Sequence, residues 1–440
     1  MLLTSYPFLF FFFPITLFFY YLLFEKNKNL KLIFLGIVSA YFYFLDNGEL
    51  LVILIFLAIL TKLQVEKNIF NNFIFTFLLL TPLFVFKYSY IIYSLFNLKI
   101  PEMINNNFPV GLSFFTFQAI AYYFDKNRLQ SNESGFEIFT FLAFFPQLLA
   151  GPIVNIKTFR TGINKPASND DIIQGIYRTS IGLLKKYFLA DTLAEIILIY
   201  NNYQDISNIS FMSSFLLIFS YTFQIYFDFS GYCDIAIGLG KFFGFTLPEN
   251  FNRPYLAKSF QEFWQRWHIT LSTFFKQYVY IRLGGNRISN FKTYRNLWIT
   301  FFCTALWHGS SLTFLLWGFI HGFIMTVEKV INFHKLFSNR VITMLLISLS
   351  WVPFFAKTIG DTLYIYKGLM NYNFQNDTLL PLLFQNLDFR FIVVVLCCII
   401  SLKRFQFEFK PTYLSSFTIF FIALIVVLSS SVDPFIYFKF

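Results

Sequence analysis

An all-α, polytopic integral membrane protein is the fold class the sequence predicts, and three observations predict it. Hydrophobic residues make up 57% of the 440 residues and charged residues only 13%, where soluble domains carry about 25% charge. Apolar runs recur along the whole chain, and a spanning helix needs about 20 such residues. The loops between the first runs alternate in charge, as the positive-inside rule requires. Aromatics reach 23%, with 68 Phe. A soluble globule has too little polar surface to cover that much apolar area. A disordered chain, a disulfide scaffold and an ordinary cytosolic globule are excluded. No linker-like stretch divides the chain, so residues 1–440 read as a single membrane-embedded domain.

The elements follow in order. Thr4 to Phe24 carries no charge and lacks a basic n-region and a small-residue cleavage site, so it reads as a signal-anchor helix. The cluster Glu25-Lys26-Asn27-Lys28-Asn29-Leu30-Lys31 then falls on the cytoplasmic side, leaving the N-terminus outside. Leu32–Leu45 ends at the acidic turn Asp46-Asn47-Gly48-Glu49, suited to the outer face, and Leu50–Leu60 returns to Lys62 and Lys67 inside. Further apolar runs are Phe73–Phe86, Val110–Phe124, Ile138–Val154, Ile172–Ile199, Phe211–Phe227, Leu297–Leu306, Leu312–Val330, Val341–Phe355, Phe391–Ser401 and Phe417–Leu428. They predict roughly eleven transmembrane helices with shorter interfacial or re-entrant pieces. Lys185 and Lys186 interrupt Ile172–Ile199, which therefore reads as two pieces or an interfacial helix.

The 34 Lys+Arg exceed the 23 Asp+Glu, for a net charge of +11. Positive cytoplasmic loops account for that excess, so the lipid bilayer is the expected partner. Without a dense Lys/Arg block, nucleic acid is not. The four Cys (Cys233, Cys303, Cys397, Cys398) form no CxxC and no Cys/His metal spacing, so no metal site is expected.

Polar chemistry concentrates between Tyr221 and Gly309. Asp228 and Asp234 sit among aromatics, where an unpaired charge costs ~2.5 kcal/mol or more. Each is either a functional group or a buried carboxylate that holds a loop by hydrogen bonds. Pro248-Glu249-Asn250-Phe251-Asn252-Arg253-Pro254-Tyr255 forbids a continuous helix and belongs at a surface or along a watery cavity. Lys258 to Tyr278 reads as one helix with an apolar stripe of Phe260, Phe263, Trp264, Trp267, Leu271, Phe274 and Tyr278. Its other face carries Gln261, Glu262, Gln265, Arg266, Thr273, Lys276 and Gln277, which is too polar to span.

The four His invite separate readings. His268 borders the stripe, where spacing alone favours an interfacial ring bonded to a carbonyl. His308 closes an apolar run in Trp307-His308-Gly309-Ser310-Ser311. There it is either a proton-transfer group in an aqueous pocket or a helix-terminal structural His. His321, within Gly318-Phe319-Ile320-His321-Gly322, reads as packed and satisfied, with a second pocket residue as the alternative. His334 lies at a loop and carries no functional expectation.

Ordered motifs resemble the membrane-bound O-acyltransferases. They are Trp264-Gln265-Arg266-Trp267-His268-Ile269-Thr270-Leu271-Ser272, Tyr280-Ile281-Arg282-Leu283-Gly284-Gly285-Asn286-Arg287 and Trp307-His308-Gly309. Phe227-Asp228-Phe229-Ser230-Gly231-Tyr232, Asn250-Phe251-Asn252-Arg253-Pro254-Tyr255 and Ala150-Gly151-Pro152-Ile153 join them. The likeness runs from about Pro109 to Gly322. It is nearest the bacterial branch of alginate and peptidoglycan O-acetylation and teichoic-acid D-alanylation. Two departures stand out: Arg282 replaces the Pro common before Leu-Gly-Gly, and Lys276-Gln277 stands where Arg-Asp is usual.

The resemblance implies a ring of membrane helices around a thinned centre with a funnel to the catalytic His. It assigns the family's invariant histidine to His308 and its second histidine to His268. It places Trp264, Trp267, Arg266, Asp228, Asn252 and Trp307 at the substrate path. No bound cofactor is implied. Acetyl-CoA is the expected acyl donor, a cell-envelope polysaccharide the acceptor, and a periplasmic or extracellular acetyltransferase the partner. The place would be the cytoplasmic (inner) membrane of a bacterium. D-alanyl transfer from a carrier-protein thioester is the alternative reaction. A transporter or flippase is the rival class and would show repeated halves with paired broken helices; a noncatalytic scaffold is a third.

Overall fold

The computed structural model describes residues 1–96, 99, 109–129, 133–287, 289–331, 339–385, 387–402 and 411–430; His334 lies outside them. Every regular element among the described residues is helical, with no strand. The chain divides into two compact units. The first holds Met1–Gly182, Tyr232–Glu249 and Pro411–Leu424; the second holds Leu183–Gly231, Asn250–Lys410 and Ile425–Phe440.

The first unit contains the helices Phe8–Phe24, Lys28–Asn47, Leu51–Lys67, Asn72–Leu95 and Leu112–Leu129. Their outer faces are apolar, with Phe11 66% and Phe73 80% exposed, as expected where lipid rather than water is the solvent. Gly48 turns the chain between two of these helices at φ +47°, a left-handed conformation that glycine adopts without strain. The run Ile138–Val154 does not form one helix. It breaks into Gly135–Ala143 and Phe145–Leu148, with Phe144 out of helical geometry. Pro146 lacks the N–H that a continuous helix needs there. Lys31, expected as a loop charge, is instead buried in the first turn of Lys28–Asn47.

The second unit begins within a long helix that the lysines do not split. Asn169–Leu184, Lys185–Ala190 and Asp191–Asn202 run on without a gap, and the middle piece widens into a π-helical turn. The extra residue in that turn aims Lys186 inward, where it pairs with Asp191 at 2.6 Å and Asp228 at 3.1 Å. Phe211–Phe242 then runs 32 residues and absorbs the whole Phe227–Tyr232 motif. Three helical stretches among the described residues are long and apolar enough to cross a membrane: Lys28–Lys67, Asn72–Ser89 and Leu312–Val330. Phe8–Phe24, Arg340–Phe355 and Tyr413–Ser429 are apolar but shorter. The sequence expectation of roughly eleven spans is larger than this set.

Candidate active site

The polar block of the second unit folds differently from its helical spacing. Lys258 to Tyr278 is two helices of seven residues, Phe260–Arg266 and Ile269–Phe275, extended by a π turn over Lys276–Tyr280. Seven residues rise only about 10 Å, too short to cross a bilayer. The break falls at His268, whose φ of 42° and ψ of 54° are left-handed. That conformation is strained for a non-glycine residue and persists only where neighbours hold it.

Asn250 does the holding. Its carbonyl accepts from Ile269 N at 2.9 Å. Its Oδ1 accepts from Thr270 N at 3.1 Å and Thr270 Oγ1 at 3.0 Å, and lies 3.2 Å from His268 Nδ1. An oxygen that already accepts two bonds makes His268 Nδ1 a donor as well, which leaves the imidazole lone pair on Nε2. Ser259 caps the first short helix through Glu262 N at 3.0 Å. His268 is thus bonded to the Asn250 side-chain amide, and it is fully buried instead of interfacial. Burial pushes its imidazole down to about 3, so the ring is neutral at pH 7.

His308 is the last residue of Asn290–His308, as its place at the end of an apolar run predicts. Gly309 follows in extended geometry, and a Cβ there would lie 2.3 Å from the Phe314 ring. Only glycine lets the chain turn so tightly into Leu312–Val330. Gly318 brings the same two helices together, since a Cβ there would meet that of Ala305 at 2.6 Å.

Tryptophans link three histidines in this unit. The His268 ring lies 5.9 Å from Trp307, and Trp307 lies 4.7 Å from His308. Trp317 stands edge-on to His308 at 4.9 Å and 4.6 Å from His321, one helical turn away. Phe354 closes another side of His308 at 4.8 Å. The expectation of an aqueous pocket meets a ring that is 4% exposed and enclosed by aromatics. His321 is packed, as read from sequence, but not satisfied: neither ring nitrogen has a hydrogen-bond partner among the described residues.

The profile of the membrane-bound O-acyltransferase family matches residues 75–348. The chain belongs to the membrane-bound O-acyltransferase family. It is 34% identical to a peptidoglycan O-acetyltransferase of Helicobacter pylori over 418 residues, covering 83% of this chain and 79% of that protein. It is 39% identical to the probable alginate O-acetylase AlgI of Pseudomonas aeruginosa over 274 residues, 60% of this chain and 52% of that one. A teichoic acid D-alanyltransferase of Bacillus subtilis is 27% identical over 260 residues, 55% of this chain and 65% of that one. The protein is an acyltransferase of the membrane, and its relatives include enzymes named for O-acetyl transfer.

Around the histidines of this O-acyltransferase the other expected site residues take distinct places. Trp264 packs against Trp317 at 5.9 Å and His321 at 5.3 Å. Trp267 is fully buried against Trp351 at 5.0 Å and Phe251 at 5.0 Å. Arg266 is bound by Glu262 at 2.7 Å and donates to the Asn252 carbonyl at 3.1 Å. Asn252 is exposed and works through its backbone, its N–H donating to the Arg266 carbonyl at 2.9 Å. Asp228 is the buried counter-charge of Lys186, and its neighbour Phe229 stands edge-on to the His268 ring at 4.6 Å. Asp234, in the first unit, is held by Arg178 at 2.6 Å, which also grips Glu249. Both carboxylates are ion-paired, and both sit on Phe211–Phe242.

Sequence reasoning passed over Asn250, Lys186 and Trp317. Asn250 stands two places before Asn252 in the quoted motif, and only the fold shows which of the two amides reaches His268. Trp317 precedes His321 by four residues, a spacing that places both on one helix face.

Proposed function

We propose that this O-acyltransferase moves an acetyl group from acetyl-CoA, entering from the cytoplasm, to a hydroxyl of a cell-envelope polysaccharide of the peptidoglycan kind. The carrying observation is 34% identity to a peptidoglycan O-acetyltransferase over 83% of the chain. D-alanyl transfer from a carrier-protein thioester has weaker support, 27% identity over 55% of the chain. The reading places the enzyme in the cytoplasmic membrane of a bacterium, as a ring of about eleven spanning helices. Acetyl-CoA is made inside and the glycan lies outside, so an extracytoplasmic acetyltransferase partner completes delivery.

In this mechanism His308 takes the proton of the attacking hydroxyl. The alkoxide adds to the thioester carbonyl, and the tetrahedral intermediate collapses with loss of the thiolate. The imidazolium returns its proton to that sulfur, so atoms and charge balance. Neutral His268 supports the wall behind Trp307, and Trp264, Trp267 and Trp307 line the acyl path. Arg266 and Asn252 brace the mouth of that path, and Asp228 with Lys186 anchors the helix behind it. No Ser/His/Asp order or reactive Cys motif is present, so direct transfer is the simpler route.

The enclosure of His308 bears hardest on this reading, because the reactants have to reach its ring. Thioester turnover in membranes bearing His308→Ala should fall about 10²–10⁴-fold against wild type. Turnover at the wild-type rate would falsify the assignment. His308→Cys should react with a water-soluble methanethiosulfonate faster when acetyl-CoA is absent than when it is present. A thiol that never reacts counts against any aqueous route to the site. Mass analysis of glycans with and without the protein names the acceptor: added D-alanine in place of acetyl selects the alternative. Reconstituted vesicles that move substrate with the thioester intact select a transporter.

A further inference from the structure

The aromatic cage around His321 holds more hydrogen-bonding capacity than the described residues use. His321 is fully buried, and both ring nitrogens lack a hydrogen-bond partner among the described residues. The same is true of the buried indole Nε1 of Trp264, Trp317 and Trp351. These rings are neighbours: Trp317 lies 4.6 Å from His321, Trp264 5.3 Å and Trp351 6.1 Å. Phe260 at 5.5 Å and Phe301 at 6.2 Å complete the wall with apolar surface. A neutral imidazole offers one donor and one acceptor, and each indole offers one donor. The cage residues therefore carry four donors and one acceptor among them.

Unpartnered buried polar atoms are rare in native proteins, and several in one cluster call for a bound group. The imbalance says which kind. A cation would face four donors, and an apolar guest would leave all five positions unmet. A hydroxyl group fits: its lone pairs accept from N–H groups, and its proton goes to the imidazole lone pair.

We infer that this cage is a hydroxyl-binding subsite and that His321 is its positioning residue. Trp317 is the wall shared with His308, at 4.9 Å, so a hydroxyl seated beside His321 fixes that indole against the catalytic ring. The hydroxyl comes either from the acceptor glycan or from water. The glycan source rests on the acyl-transfer reading above; the subsite itself does not.

Three full-length variants in native membranes test this: His321→Gln, which keeps a donor and an acceptor, and His321→Leu and His321→Phe, which remove both. Acetyl transfer from acetyl-CoA to soluble peptidoglycan fragments should fall about tenfold or more in the Leu and Phe variants. The Gln variant should recover to within about threefold, and the KM for acetyl-CoA should stay at the wild-type value in all three. A raised KM for the glycan identifies the glycan hydroxyl, and a loss confined to kcat identifies water. Leu and Phe variants within twofold of wild type overturn the proposal, as does a Gln variant as impaired as the Phe variant.

Thermal unfolding decides independently of activity. Exchanging an unpaired buried ring for an apolar one is neutral or stabilising, whereas exchanging a paired one is destabilising. Measured both without and with saturating soluble peptidoglycan fragments, a Tm equal to or above wild type in both apolar variants under both conditions therefore sinks the subsite. A lowered Tm in both, with Gln at the wild-type value, supports it. That arm holds even if the wild type transfers no acetyl group, an outcome that removes the function proposed above and leaves the cage to be judged by heat.

Discussion

Lys31 in the first unit and the histidine cluster in the second are both basic groups withdrawn from water, and the chain treats them in opposite ways. Lys31 Nζ donates to the carbonyls of Gly162 and Lys165 at 2.8 Å each and of Phe243 at 2.6 Å. All three donor positions of its ammonium are used, and the Tyr20 and Phe245 rings stand 5.7 and 5.2 Å from the charge. Among the described residues, His321 has no such partner on either nitrogen. Burying a polar group unmet is costly, so a fold that can satisfy a lysine with three carbonyls had the means to satisfy an imidazole. A saturated buried cation marks architecture. An imidazole such as His321, with neither nitrogen partnered among the described residues, is the opposite case, and the cage proposal turns on it.

The comparison breaks first at Lys31. Lys31→Met removes the donor that ties residues 162, 165 and 243 together, and it should cost about 2–4 kcal/mol of stability. The measurement is the amount of folded protein in membranes and its unfolding temperature. Per molecule of folded protein, acetyl transfer should stay near wild type. A variant as stable as wild type, but inactive, would reverse the contrast and give the lysine a functional role.

Asn250 sharpens the contrast, because it is an architectural group placed inside the functional region. Asn250→Ala removes the oxygen that receives Thr270 N, Thr270 Oγ1 and His268 Nδ1. About 1–3 kcal/mol of stability should go with it. Asn250→Asp keeps the acceptor and should restore most of that loss. If the oxygen also poises His268, turnover of the Ala variant falls further than its folded fraction does. Equal falls in the two quantities confine Asn250 to architecture.

These long-range ties explain what the sequence could and could not disclose. Lipid-facing helices such as Lys28–Asn47 and Leu312–Val330 are legible because exposure to lipid writes apolarity directly into the chain. His308 is legible because a helix end beside Gly309 is a local feature. The break at His268 is not. Phe260, Phe263, Trp264, Trp267, Leu271 and Phe274 keep helical spacing straight through it, and its cause lies 18 residues upstream in Asn250. Lys31 reads as a loop charge for the same reason, since its carbonyl partners are 131, 134 and 212 residues away. Asp228 reads equally as a functional acid or a buried structural carboxylate until Lys186, turned inward by one π turn, appears beside it. Periodicity reports which face a residue takes, while satisfaction of its polar atoms depends on contacts that close only in the fold.

The remaining expected effect concerns pH. His268 is neutral in the folded chain, held down to about 3 by burial, whereas an unfolded imidazole titrates near 6.5. A depressed folded value means that the unfolded state binds the extra proton. The contribution to stability is therefore full above about pH 6.5 and is lost as the pH falls from there toward the folded value. Over that window this one ring should remove stability progressively as the pH falls. His268→Gln keeps an amide N–H able to face Asn250 and does not titrate. Its stability relative to wild type should improve steadily from pH 7 to pH 5, even if it starts lower. Lys31 offers no comparable effect in that range, so the slope separates a buried imidazole from a saturated ammonium. Parallel stability curves for the two proteins between pH 7 and pH 5 would show that His268 takes up its proton as readily in the fold as in the unfolded chain. In that case burial does not hold the ring neutral below pH 6.5, and the neutral wall behind Trp307 would have to be abandoned there.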